Sequence, residues 1–182
     1  MLREIVKKDT EEIHKKVEKS PIMTKIINKS IRPQEYYQYL IDVDNIYQTL
    51  YDRLKDTCLP HINHTNIQKD IELMKSKFGF EDTSSSISCC SYCKYLKSIR
   101  CSTDDSISRI MAHVYTRYFA ELSGGQILKR ILAELGYPTN CYDFDCDIKD
   151  QLTDWINNKC LCPESFKGEC HVSFMCYDSI LN

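Results

Sequence analysis

A chain of 182 residues, 42% hydrophobic and 27% charged, fits one domain with a full core better than two. Its formal charge of -2 offers no broad basic field for nucleic acid or an anionic membrane surface, and no apolar run is long enough to span a bilayer. Eleven cysteines would suggest a disulfide framework in a secreted protein, but the start MLREIVKKDTEEIH carries no apolar signal segment, so a soluble, cytoplasmic monomer with reduced thiols is expected. Cys90-Ser-Tyr-Cys93 with Cys101 lacks a second well-spaced pair of zinc ligands, and Cys160-Leu-Cys162 with Cys170 and His171 is not a common finger spacing. These thiols are expected to pack as small hydrophobes.

Helical periodicity runs through nearly the whole chain. Leu2, Ile5, Val6, Ile13 and Val17 fall on one stripe, with Asp9 and Glu12 as a cap pair that begins a new turn. Pro33 opens a second helix, in which Tyr36, Leu40, Val43, Tyr47, Leu50 and Leu54 alternate four and three apart. A third carries Ile67, Ile71, Met74 and Phe78 and stops at Gly79. Asp82-Thr-Ser-Ser-Ser86 reads as a loop, followed by a helix through Tyr92, Leu96 and Ile99.

The longest run extends from Thr103 to Leu135, through Ile107, Ile110, Val114, Tyr118, Leu122, Leu128 and Ile131, and is ended by Gly136 and Pro138. Two shorter helices are expected near Ile148 to Ile156 and from about Pro163 to Leu181. With no alternating strand pattern, internal repeat or long linker, residues 1–182 read as a single all-α domain.

Gly124-Gly125 stands inside that longest run, where each glycine costs about 1 kcal/mol relative to alanine. Two in succession need a cause: a bend, a close helix crossing, or room for a flat ligand against the backbone. The segment His113-Val-Tyr115-Thr-Arg117-Tyr118-Phe-Ala120-Glu121-Leu-Ser123-Gly124-Gly125-Gln126 closely resembles the distal-helix signature of the haem oxygenase family. Thr10-Glu-Glu-Ile-His14-Lys-Lys-Val-Glu18 resembles the proximal helix of the same family. The resemblance covers nearly the whole chain and is weak between Leu59 and Ser102 and after Pro138.

What the resemblance implies is a multi-helix bundle with haem b, both substrate and cofactor, sandwiched between a proximal helix and a kinked distal helix. It implies oxidative cleavage to biliverdin, carbon monoxide and ferrous iron. O2 is the oxidant, and electrons come from an external reductase or ferredoxin, since the chain shows no dinucleotide fingerprint or cluster motif.

His14 takes the place of the proximal ligand to the haem iron, and Glu18, one turn on, lies near enough to orient the imidazole. Lys7 precedes His14 by two turns, about 10 Å along one face, and matches a propionate-binding lysine. Lys149 and Tyr115 match two further propionate neighbours, while Thr153 stands where the family often has arginine. Met23 and Ile26 are expected to wall the proximal side, and Phe174 to close it from the last helix.

On the distal side the family orders a water network around an aspartate held with a tyrosine and an arginine. Here the corresponding groups are Glu121, Tyr47 and Arg117, with Ser123, Gly124 and Gly125 against the haem face and Ala120 in place of a glycine. The extra methylene of Glu121 moves its carboxylate by roughly 1.5 Å. Glu121 and Ala120 therefore leave open an alternative, a haem-binding or sensor protein of the same fold with impaired turnover, which Glu121→Asp separates from an enzyme. A thiaminase-like enzyme of similar architecture has no use for His14 together with Leu-Ser-Gly-Gly-Gln.

Overall fold

The computed structural model describes residues 2–55, 64–144 and 147–182, with the side chains of residues 2–5 and 64 outside that description. Leu2 and Ile5 of the first stripe, and Cys58 and Cys146, therefore lie outside the described side chains. Among the described residues the regular structure is helical throughout. In order the helices are α1 (Leu2–Asp9), α2 (Glu11–Glu18), α3 (Pro21–Ile27), α4 (Pro33–Leu54), α5 (His64–Phe78), α6 (Ile87–Ser98) and α7 (Asp104–Glu134). A short 3-10 helix (Asn140–Tyr142) follows, then α8 (Ile148–Lys159) and α9 (Pro163–Leu181).

The N-terminal stripe is divided where the sequence suggested a new turn, but by a different residue. Thr10, not Asp9, occupies the cap position of α2, and its hydroxyl turns back to the Val6 carbonyl at 2.8 Å. Asp9 pairs instead with Lys167 of α9 at 2.7 Å, and Glu12 pairs with Lys15. The break separates Lys7 from His14, so these two do not share one continuous helical face. Pro21 then starts α3, a short helix that the apolar pattern did not single out, and it buries Met23 and Ile26.

The later helices follow their apolar spacing. In α4 the stripe Tyr36, Leu40, Val43, Tyr47, Leu50 and Leu54 is buried, and the Glu35 carboxylate accepts the Arg32 backbone N–H at 2.9 Å to close the first turn. Gly79 ends α5 with φ +70 and Gly136 follows α7 with φ +74, left-handed positions at which glycine carries no Cβ penalty. Ser86 caps α6 by accepting the Cys89 N–H at 3.1 Å. Thr103 and Ser106 cap α7 reciprocally, each side chain accepting the other's backbone N–H.

α7 packs along α9, α4 packs against α5 and α6, and α2 lies on α9. Thus α7, α4 and α9 form the centre, with α2 and α3 laid over one side. Beyond α7 the chain is fixed by the fully buried Asp70 of α5. Its carboxylate accepts the backbone N–H of Asn140 at 3.0 Å and of Cys141 at 2.7 Å, and the Asn140 side-chain amide at 2.5 Å. That anchor sets Tyr142 against the middle of α7. No helix among the described residues is long and apolar enough to cross a membrane. The nine described cysteines are free thiols, and no described group of three or more His, Cys, Asp or Glu is placed to hold a metal ion.

Candidate functional site

His14 lies on the side of α2 that meets α9. Its Nδ1 is 3.4 Å from the Glu18 carboxylate, and its ring meets Phe174 edge-on with centroids 5.5 Å apart. The side chain is 44% exposed, and no described residue hydrogen-bonds Nε2. α2 is fastened to α9 around this point by the Lys16–Asp178 pair at 2.6 Å, while Lys167–Asp9 fastens α1. Met23, on α3, is buried in the core.

Phe174 also faces Arg117 of α7, whose guanidinium carbon is 5.6 Å from the ring centroid. Arg117 is buried, and its guanidinium carbon lies over the Tyr177 ring, 3.5 Å from that centroid. Its Nε and one terminal nitrogen make no hydrogen bond among the described residues. Glu121 stands one turn on, where an i,i+4 ion pair with Arg117 would be the ordinary outcome on an exposed helix. No such pair within 4.0 Å forms, because the guanidinium is drawn onto the aromatic faces instead.

Removal from water pushes the Glu121 carboxyl up to about 7, against the opposing pull of Tyr47 and Arg117. The buried Tyr47 hydroxyl neighbours this carboxyl yet forms no well-aligned hydrogen bond. Burial raises the phenols of Tyr39, Tyr47 and Tyr142 well above their ordinary value, and that of Tyr177 as well. All four therefore remain neutral O–H groups near pH 7.

The two central glycines are not equivalent. A Cβ on Gly125 would stand 2.8 Å from the Tyr142 ring, so this glycine is required by packing. A Cβ on Gly124 would meet nothing within 4 Å, so the backbone there is bare towards open space. Ala120 is half-buried and Ser123 exposed on the same helix. Tyr115 is half-buried against Phe119 and Phe166, with ring centroids at 4.9 and 5.5 Å. Lys7 is exposed near the end of α1, and Lys149 is exposed on α8, where its carbonyl accepts the Thr153 hydroxyl at 2.8 Å.

Three groups escaped the sequence reading. Tyr177 and Tyr39, joined hydroxyl to hydroxyl at 3.0 Å, border the site from α9 and α4. Tyr142 fills the space beside Gly125. The third is a buried polar cluster at the α6–α7–α9 junction, which clamps α9 onto α7 one to two turns before Arg117 and Phe174. His113 Nε2 donates to Glu169 at 3.0 Å and Nδ1 accepts from Tyr92 at 2.6 Å, a tautomer assigned from these partners.

Arg109 donates to the other Glu169 oxygen at 2.7 Å, and Tyr95 also bonds Glu169. Burial alone would raise Glu169, but the bonds from His113, Tyr95 and Arg109 hold it down at about 2. Burial keeps His113 neutral. The signal available in advance was the spacing of Glu169, Phe174 and Tyr177 on the last helix, which aromatic content alone did not distinguish from core.

Residues 1–146 match the profile of the family described as Heme oxygenase. A heme oxygenase of Takifugu rubripes is 28% identical over 141 residues, covering 71% of this chain and 50% of that protein. Heme oxygenase 2 of Mus musculus is 27% identical over 158 residues, 79% of this chain and 50% of the relative. The chain thus spans about half the length of the curated relatives it matches.

The structure of heme oxygenase from Leptospira interrogans superposes with a TM-score of 0.83 at 20% identity, covering 99% of this chain and 98% of that one. Heme oxygenase-1 of the cyanobacterium Synechocystis, in complex with heme, gives 0.82 at 17% identity, covering 100% of this chain and 90% of that one. The helical architecture around His14 and Arg117 is therefore the fold of these enzymes. With 146 of its 182 residues inside the profile as well, this chain belongs to the haem oxygenase family.

Proposed function

We propose that this chain binds haem between α2 and α7 and, with O2 and electrons from an external reductase or ferredoxin, converts it to biliverdin, carbon monoxide and ferrous iron. The observation that carries the reading is a set of buried, unpartnered polar atoms beside bare backbone. Arg117 Nε, an Arg117 terminal nitrogen and Tyr47 Oη lack partners, Gly124 faces open space, and His14 offers an unpartnered Nε2 across Phe174. Buried donors without partners are costly in a finished core and fit a site that takes up water or ligand.

These residues suit haem. His14 would hold the iron through Nε2, with Glu18 orienting the ring through Nδ1. Lys7, Lys149 and Tyr115 would meet the propionates, Thr153 adding no cation there. Met23 and Phe174 would wall the proximal side, while Ala120, Ser123, Gly124 and Gly125 line the distal backbone.

When bound, haem supplies the redox-active iron and is itself the molecule oxidised. Arg117 and Tyr47 donate hydrogen bonds to water in the distal space. Glu121, titrating near neutrality, holds or releases a proton at its carboxyl oxygen, which is what a proton source at working pH requires. The reading extends to a monomer in the cytoplasm, with lysines and arginines around the haem edge as the docking patch for the electron donor.

An absorption titration with one equivalent of haemin, before and after reductant in air, tests the proposal. The expected result is a sharp Soret band that His14→Ala abolishes and that gives way to a broad red biliverdin band. A Soret band that bleaches without bilin leaves a haem-binding protein with impaired turnover, and Glu121→Asp then shows whether the longer acid is the cause. No Soret band at all refutes the reading.

A further inference from the structure

Arg117 is held by aromatic faces and not by a carboxylate. Tyr177 lies 3.5 Å beneath the guanidinium, Phe174 lies 5.6 Å away, and the Tyr177 hydroxyl meets that of Tyr39 at 3.0 Å. The groups facing Glu121 are Tyr39 and Tyr47 from α4, Cys141 and Tyr142 from the 3-10 helix, Tyr177 from α9, and Arg117 from its own helix. Arg117 is the one cation in that set, yet the two side chains do not pair. A desolvated cation–π contact outweighs a partly desolvated i,i+4 ion pair, so the stack wins.

We propose that Tyr177 is the positioning residue of the distal side: its ring keeps the Arg117 guanidinium off Glu121, so that acid and cation stay two separate groups for one small polar ligand such as water. Tyr177 acts through Arg117 and need touch no ligand. Its functional meaning rests on the haem reading above. Without the ring, Arg117 settles onto Glu121, the carboxylate is stabilised as an anion, and the two donors with no partner are consumed internally. An acid poised near neutrality then becomes an ionised carboxylate paired with Arg117.

The test is the titration of the Glu121 carboxyl in the haem-free protein, followed by its infrared C=O band and assigned by loss of that band in Glu121→Gln. Tyr177→Phe keeps the aromatic face and should move the midpoint far less than Tyr177→Leu. Tyr177→Leu should lower the midpoint by about one pH unit or more, roughly tenfold in acid strength, as an approaching cation does. In an Arg117→Met background the same replacement should produce no shift.

A folded Tyr177→Leu protein whose midpoint stays in place overturns the proposal. So does an equal shift in the Arg117→Met background, which would mean that Tyr177 acts on Glu121 directly. Should Tyr177→Leu fail to fold, Tyr177→Met reads the same contest. Its unbranched side chain fills the space without an aromatic face, so Arg117 should pair with Glu121 and lower the midpoint, and an unmoved midpoint there also overturns the idea. No haem is present in the titration, so this proposal and the haem reading fail independently.

Discussion

Replacing the central glycines of α7 by alanine, one at a time, is expected to move stability in opposite directions. At Gly124 the new Cβ meets nothing within 4 Å, so the change should keep the helix-propensity gain of about 1 kcal/mol and raise the melting temperature by about 2–4 °C. At Gly125 the same gain is opposed by a Cβ 2.8 Å from Tyr142 Cδ1 and 3.4 Å from Cε1. The ring has no easy retreat. Tyr142 is buried, its carbonyl accepts the Gln126 amide at 2.9 Å, and the preceding N–H is held by Asp70 at 2.7 Å.

Overpacking of this kind costs about 1–3 kcal/mol, leaving a net loss of about 1 kcal/mol and a melting temperature lowered by about 2–4 °C. Thermal and urea unfolding of the haem-free proteins, followed by far-UV circular dichroism, gives both signs. In a haemin titration Gly124→Ala should bind more weakly although it is the more stable protein, because its methyl enters the bare space assigned to the ligand. Shifts of the same sign for the two variants would refute the packing argument. Undiminished haemin affinity in Gly124→Ala would refute the assignment of that space.

Glu169 is held at about 2 in the fold against an ordinary 4.5, so its contribution is fully present above pH 4.5 and lost as pH falls towards 2. Glu169→Gln should flatten this acid limb and cost about 3 kcal/mol at neutral pH, read from urea midpoints across the acid range. Glu121 has the opposite sign: its folded value of about 7 lies above 4.5, so stability is fully present below pH 4.5 and lost as pH rises through 7. Glu121→Gln should remove that decline, which melting temperatures at about pH 5 and about pH 8 would reveal. Asp70→Ala strands two backbone donors and should cost about 3 kcal/mol by urea unfolding, with accelerated hydrogen exchange at Asn140 and Cys141.

Most of the helical order was legible because its cause is local. The alternation from Tyr36 to Leu54 is the buried stripe of α4, and Gly79 and Gly136 carry the positive φ that ends a helix. The divided N-terminus was legible only in part. The sequence marks a cap near Asp9, but that Asp9 is drawn to Lys167 is set by a residue on the last helix. Glu121 and Arg117 show the same limit. Their i,i+4 spacing suits a pair, and what overrides it is Tyr177, sixty positions along the chain and invisible to any local rule. The two glycines looked alike in sequence and are separated by Tyr142, held in place by Asp70 of a different helix.

The junction of α2 with α9 has a consequence for the order of assembly. Lys16 and Asp178, which fasten it, lie 162 residues apart, so the loop they close is nearly the longest the chain allows. Contacts of that separation form after the local helices, since their entropy of closure is recovered only once the intervening structure has condensed. The α2–α9 junction that presents His14 is thus among the last features of the fold to mature. A ligand that grips both walls would act as a fastener between the two ends of the fold. Its arrival should be visible as a joint slowing of hydrogen exchange in α2, α7 and α9, with α5 unchanged.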